Sequence, residues 1–134
     1  MENQSLRTIR ISLLKVVVKS FSPNDNRAVL DIYFEDGKSK QMTRSTRLGD
    51  ANLLTTQLLQ ELVLKEKNDC AEFDGESMKD VDVLLDNEQK ARLMLIDFFR
   101  TLHSKAQQIK NASSSVGYID RIRALQMTEL TLYG

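Results

Sequence analysis

Residues 86–110 read DNEQKARLMLIDFFRTLHSKAQQIK, the longest stretch of the chain with a helical pattern. Apolar residues recur there every three or four positions, which is the spacing of side chains on one face of an α-helix. These residues are Ala91, Met94, Leu95, Phe98, Phe99, Leu102, Ala106 and Ile109. The pattern predicts one long helix, capped by Asp86, with Gln89 completing a capping box.

Two more apolar residues, Leu93 and Ile96, lie off the apolar face of this helix. They give the segment 93–96 apolar surface on nearly every side. Such a surface is unusual for a helix with one solvent-exposed face. Other parts of the fold could cover them. Alternatively, Leu93 and Ile96 could belong to the interface with a second copy or with another protein. The sequence alone leaves both arrangements open.

The composition is that of an ordinary globular protein. The chain has 134 residues, a size that suits one compact domain, and its 19 Lys and Arg balance its 19 Asp and Glu. A net charge of zero gives no general attraction to nucleic acid or to anionic lipid. No run approaches the roughly 18 apolar residues of a membrane span, and the polar first residues lack the apolar core of a secretory signal. We therefore expect a cytoplasmic protein without a membrane partner.

The N-terminal part of the chain predicts strands. Residues 8–21 are β-branched and alternate in polarity, with a slip of phase that predicts a bulge near Leu13 and Leu14. Residues 28–35 predict a second strand, and Asp36-Gly37 predicts a two-residue turn into a third. That turn would place Gln41 opposite Ile32. The third strand would then be polar on both faces, as suits a sheet edge.

The remainder of the chain predicts helices. Asp50 can cap a helix over about 51–66, and the acidic segment 68–80 predicts a loop. Residues 81–85 fit either a short strand or a helical turn, and we favour the turn. A serine-rich connector then leads to a last helix over about 118–128 and an extended tail.

The predicted fold class is therefore α+β in a single domain. A three-stranded antiparallel β-meander over residues 8–45 precedes three to four helices, which pack on one face of the sheet, with a long central helix over about 87–110.

No group of residues predicts catalysis. His103 is the only histidine, and Cys70 lies in a separate acidic segment that disfavours the reactive thiolate. One Cys and one His do not complete a zinc site, and no glycine-rich phosphate loop is present. We predict a non-enzymatic protein without cofactor or metal, and we identify no small-molecule substrate. Loose cation binding by the acidic segment 69–82 stays open.

The outer face of the predicted sheet suggests one binding function. It would collect the basic and aromatic residues Arg10, Lys15, Lys19, Tyr33, Lys40 and Arg44. A basic sheet with an aromatic residue can follow a phosphate backbone and stack a base, but Tyr33 is the only aromatic of the set. Nucleic-acid binding is therefore the alternative. The leading hypothesis is a protein-interaction module that binds another protein or itself, with a homodimer as one form.

Overall fold

The computed structural model describes residues 5–10, 14–34, 41–74, 81–112 and 117–131. These residues form six strands and three helices. Their bounds are β1 Ser5–Arg10, β2 Leu14–Ser22, β3 Arg27–Phe34, β4 Gln41–Arg47, α1 Ala51–Asp74, β5 Val81–Asp86, α2 Glu88–Asn111, α3 Tyr118–Gln126 and β6 Glu129–Thr131. The α+β class, the antiparallel meander of β2, β3 and β4, and the long central helix are confirmed.

The main sheet has four strands in the order β4-β3-β2-β6. All its pairs are antiparallel, and β6 joins the edge of β2 by pairing Leu130 with Val16. The tail predicted to be extended is thus a strand over its described part. It covers the backbone groups of β2 that the meander leaves unpaired, which is a usual way of protecting a sheet edge.

β1 and β2 belong to different sheets, so the prediction of one strand over 8–21 within the main sheet is wrong. β1 pairs in parallel with β5 and forms a separate two-stranded sheet. The slip of phase in the sequence falls at the point where β2 begins. The predicted bulge near Leu13 and Leu14 falls partly outside the described residues. A bulge is present further along, between Val18 and Ser20, and the extra residue lets both Val18 and Phe21 point into the core.

β5 also corrects two predictions. Residues 81–85 form a strand and not a helical turn, because their alternating apolar residues pair with β1. Asp86 is the last residue of this strand, and the N-cap position of α2 is Asn87 and not the predicted Asp86. Asn87 has a positive φ of 58° and makes no capping hydrogen bond with its side chain. The predicted capping box is therefore wrong.

The register of β3 and β4 differs from the prediction by one residue. Met42, and not Gln41, lies opposite Ile32. Residues 35–40, which include the predicted Asp36-Gly37 turn, lie outside the described residues. The observed register buries Met42 beside Ile32, whereas the predicted register would have buried Gln41. Burial of the one large apolar side chain on this strand therefore favours the observed pairing.

α1 begins where predicted but is longer. The Asp50 carboxylate accepts a hydrogen bond from the backbone N–H of Leu53 at 3.1 Å, so the predicted cap is confirmed. The helix continues to Asp74, and the predicted loop over 68–80 is wrong for its first part. The sequence contains no Gly or Pro between Ala51 and Gly75, so no residue type that commonly stops a helix occurs before that point.

α2 contacts α1 and α3 on different sides, but the off-face residue Leu93 stays exposed. Arg92 on one side donates a hydrogen bond to Thr56 of α1, and Lys105 on the other donates one to Thr128, next to α3. Leu95 and the other residues of its apolar face form the centre of the core, and Ile96 packs partly buried against them. Within the described ranges, no helix is both long enough and apolar enough to cross a membrane.

Candidate functional site

A groove opens between β4 and the exposed side of α1. It has a volume of about 430 Å³, which lies within the range of roughly 300–1,000 Å³ that ligand-binding pockets occupy. Its floor is apolar, because Leu30 of β3 and Phe99 of α2 are both core residues that reach its base. Leu54 and Leu58 of α1 form part of the wall. The groove therefore leads from the surface to the hydrophobic core.

The wall on the α1 side continues into a surface stripe. Leu53, Gln57, Gln60 and Leu64 follow one another at spacings of three or four residues, so they share one helical face, and all four are exposed. The last three of them line the groove. Two leucines with about half of their surface exposed, separated by two glutamines, make a partly apolar rim that is suited to contact with another chain.

The wall on the sheet side is the edge strand β4. In the described sheet its only neighbour is β3, so the backbone N–H and C=O groups on its other side have no strand partner there. Side chains alternate between the two faces of this strand: Arg44 lies on the face towards α1, and Thr43 and Ser45 lie on the other face, although Ser45 also contributes to the lining of the groove. An open edge of this kind can pair with an additional strand.

One ion pair bridges the two walls. Arg44 donates hydrogen bonds through Nε and Nη2 to Oε2 of Glu61, at 2.9 Å and 2.5 Å. The side chains are 47% and 39% exposed, so water screens the pair and its contribution to stability is small. A ligand carboxylate could therefore replace Glu61 on Arg44 at little cost to the fold.

The far end of β4 carries a second concentration of positive charge. Arg47 lies directly opposite Arg27 of β3, and no carboxylate among the described residues pairs with either of them. Arg27 donates a hydrogen bond to the hydroxyl of Ser45, at 3.4 Å. Like charges on directly opposite residues of an antiparallel pair repel one another. This end of the strand is therefore a favourable place for an anion.

The residues predicted to bind nucleic acid do not share one face. Arg10 belongs to β1 and thus to the other sheet, and Arg44 faces the groove because the register differs from the predicted one. The predicted placement of these two residues on the outer face is wrong. Lys40 lies outside the described residues.

Lys15, Lys19 and Tyr33 do belong to the main sheet. Lys15 and Tyr33 lie opposite each other in the β2–β3 pair, and Lys19 is the exposed extra residue of the bulge. Lys15 is 3.8 Å from a carboxylate oxygen of Glu129, which offsets its charge. The structure therefore keeps only part of the predicted basic face together.

The two residues of the predicted partner interface differ in environment. Leu93 is 61% exposed and lies on the side of α2 opposite its buried face. Ile96 packs partly buried against the core. An isolated exposed leucine is common on protein surfaces and does not by itself mark an interface.

The other residues considered for chemistry are not brought into one cluster. His103 is partly buried on α2, and its Nδ1 has no hydrogen-bond partner in the described part of the chain. Cys70 lies in the helical backbone of α1. Among residues whose side chains are described, no three His, Cys, Asp or Glu are placed to hold a metal ion. The acidic segment 69–82 falls largely outside that part.

Comparison of the chain with models of protein families, with curated proteins and with solved structures finds no match. The groove between β4 and α1 is therefore the candidate functional site. Sequence reasoning missed this groove because it depends on the β3–β4 register and on the distance between β4 and α1. One signal in the sequence could have indicated it. Leu53 and Leu64 are apolar residues that fall outside the buried face of α1.

Proposed function

We propose that this protein is a non-enzymatic interaction module that binds an extended segment of another polypeptide in the groove between β4 and α1. The segment pairs with the edge of β4 as an additional strand, and its side chains that face α1 enter the groove. The observation that carries the proposal is the combination of an open strand edge with an apolar-floored groove beside it.

Each part of this arrangement supplies a different component of binding. Backbone hydrogen bonds to β4 give affinity for any extended chain, and a pocket beside the strand selects the side chains that enter it. Alternate residues of a strand point to the same face, so every second residue of the bound segment would face α1. Leu30 and Phe99 at the floor favour an apolar side chain at one of these positions.

A substitution that obstructs the groove tests the proposal. Gln57 is exposed at the rim, so Gln57→Trp should fill the opening without altering a buried residue. Asn52 is also exposed on α1, but its helical position points away from the groove, and Asn52→Trp serves as the matched control. Peptides selected on the wild-type protein from a random displayed library are the probes.

The expected result is that enriched peptides bind the wild-type protein and Asn52→Trp equally but lose binding to Gln57→Trp. Bound peptide should also slow the hydrogen exchange of β4 amides, because these amides gain strand partners. Enriched peptides that bind Gln57→Trp as tightly as the wild-type protein would contradict the proposal, as would a selection that enriches no peptide.

A further inference from the structure

We infer that the segment bound by the groove is acidic, with carboxylates on both faces of the added strand. This inference rests on the proposed function and names the chemistry of the partner. It starts from the composition of β4, whose seven residues include two arginines and no acidic residue. The two arginines point to opposite faces of the sheet, so each meets a different set of partner side chains.

Arg44 recognises the face that points to α1. Its guanidinium already binds a carboxylate, and both of its bonds go to a single oxygen of Glu61. A carboxylate from an added strand can approach the same planar group and form the two parallel hydrogen bonds that arginine favours. The apolar floor lies beside this group, so the partner segment combines an acidic residue with an apolar residue on this face.

Arg47 recognises the other face. The charge of Arg27 directly across the ladder adds to its own, and no described carboxylate offsets either of them. An acidic residue of the added strand that lies opposite Arg47 relieves this repulsion. Because Arg44 and Arg47 are three positions apart, their acidic partners are also separated by an odd number of positions and lie on opposite faces of the added strand.

The same charges disfavour a second copy of this chain on the edge. An antiparallel pair of two β4 strands that uses the whole strand is centred on its middle residue, Arg44. Such a pair places the Arg44 side chains of the two copies directly opposite each other, and like charges at opposite positions destabilise a sheet. The observed charges therefore favour an acidic partner over self-association through β4.

Synthetic peptides test the acidic preference. One peptide carries two glutamates three positions apart, so that they lie on opposite faces of an extended strand, with valine or leucine at the other strand positions. A second peptide carries glutamine in place of glutamate, and a third carries lysine. The glutamate peptide is expected to bind the wild-type protein about tenfold more tightly than the glutamine peptide, since each of two exposed charge pairs contributes a factor of about three. Its affinity should fall with added salt.

Charge reversal gives the matched test. Arg44→Glu and Arg47→Glu should each weaken binding of the glutamate peptide and strengthen binding of the lysine peptide. Arg100→Glu changes the net charge equally at an exposed position of α2 outside the groove lining, and it should leave both affinities unchanged. Circular dichroism of each variant shows whether the fold is retained, so a folding defect is distinguished from lost recognition.

Three results would overturn the inference in distinguishable ways. Equal binding of the glutamate and glutamine peptides, with slower exchange of β4 amides in both cases, removes the acidic preference and leaves strand addition in place. If none of the three peptides slows the hydrogen exchange of β4 amides, the proposed function itself is wrong. A dimer whose β4 amides are already protected without peptide shows that a second copy occupies the edge.

Discussion

The clearest stability prediction compares two leucines on α2 that are two positions apart. Leu95 is 0% exposed and lies in the core, whereas Leu93 is 61% exposed on the opposite side of the same helix. Leu95→Ala and Leu93→Ala remove the same atoms and change helix propensity equally. The difference in the free energy of unfolding between the two variants therefore reports the difference in burial between the two sites.

The structure sets the expected size of this difference. Removal of a buried leucine side chain costs about 2–5 kcal/mol, because apolar contacts are lost and a cavity remains. Substitution of an exposed residue away from special features changes stability by about 0.5 kcal/mol or less. At roughly 4 °C per kcal/mol for a chain of this size, Leu95→Ala lowers Tm by about 8–20 °C and Leu93→Ala by about 2 °C or less.

Urea and thermal unfolding followed by circular dichroism measure both variants. Each experiment is repeated at two protein concentrations, since a contribution from a dimer interface makes Tm depend on concentration. Equal destabilisation by the two substitutions would refute the arrangement of α2. A loss of stability that depends on protein concentration, seen in Leu93→Ala alone, would show that Leu93 lies in an interface between two copies of the chain. The sequence left that arrangement open.

Three further predictions concern the ends of elements. Asp50→Ala removes the cap of α1 and is expected to cost about 1 kcal/mol in urea unfolding; an unchanged midpoint would show that the cap is not needed. Asn26 has a positive φ of 54°, and its side chain donates a hydrogen bond to the carbonyl of Leu48. Asn26→Ala should therefore lower the free energy of unfolding by about 1–3 kcal/mol. Asn26→Gly should lower it less, because glycine tolerates a positive φ. If glycine is as costly as alanine, the positive φ is not the source of the loss. Truncation after Thr128 removes β6 and opens the edge of β2, so light scattering should detect self-association together with a lower Tm; a stable monomer would argue against a protective role of β6.

The sequence was most informative where one periodic pattern extended over many residues. The helical spacing from Ala91 to Ile109 predicted both the position of α2 and its buried face, because an amphipathic pattern of this length fits no other element. The Asp50 cap was equally readable, since a capping residue acts on the backbone next to it. Local chemistry of this kind needs no knowledge of distant parts of the chain.

Predictions that depended on distant parts of the chain were less successful. The strand at 81–86 forms because β1, more than 70 positions away, supplies its partner. The β3–β4 register depends on which side of β4 meets the core, and the turn sequence alone suggested a register one residue away. That single shift moves Arg44 from the outer face of the sheet into the groove, so the candidate site could not be placed from the sequence.

The most direct test of the central proposal is the backbone contact between a bound peptide and β4. Nuclear Overhauser effects in the complex with the glutamate peptide report which protons of the two chains lie close together. Strand addition predicts a ladder of effects between the peptide backbone and the backbone of residues 41–47, with side-chain effects to Gln57 or Leu64 of α1. The proposal would be contradicted if the nuclear Overhauser effects from the peptide reach the opposite face of the sheet or the surroundings of Leu93, and none reaches the β4 backbone.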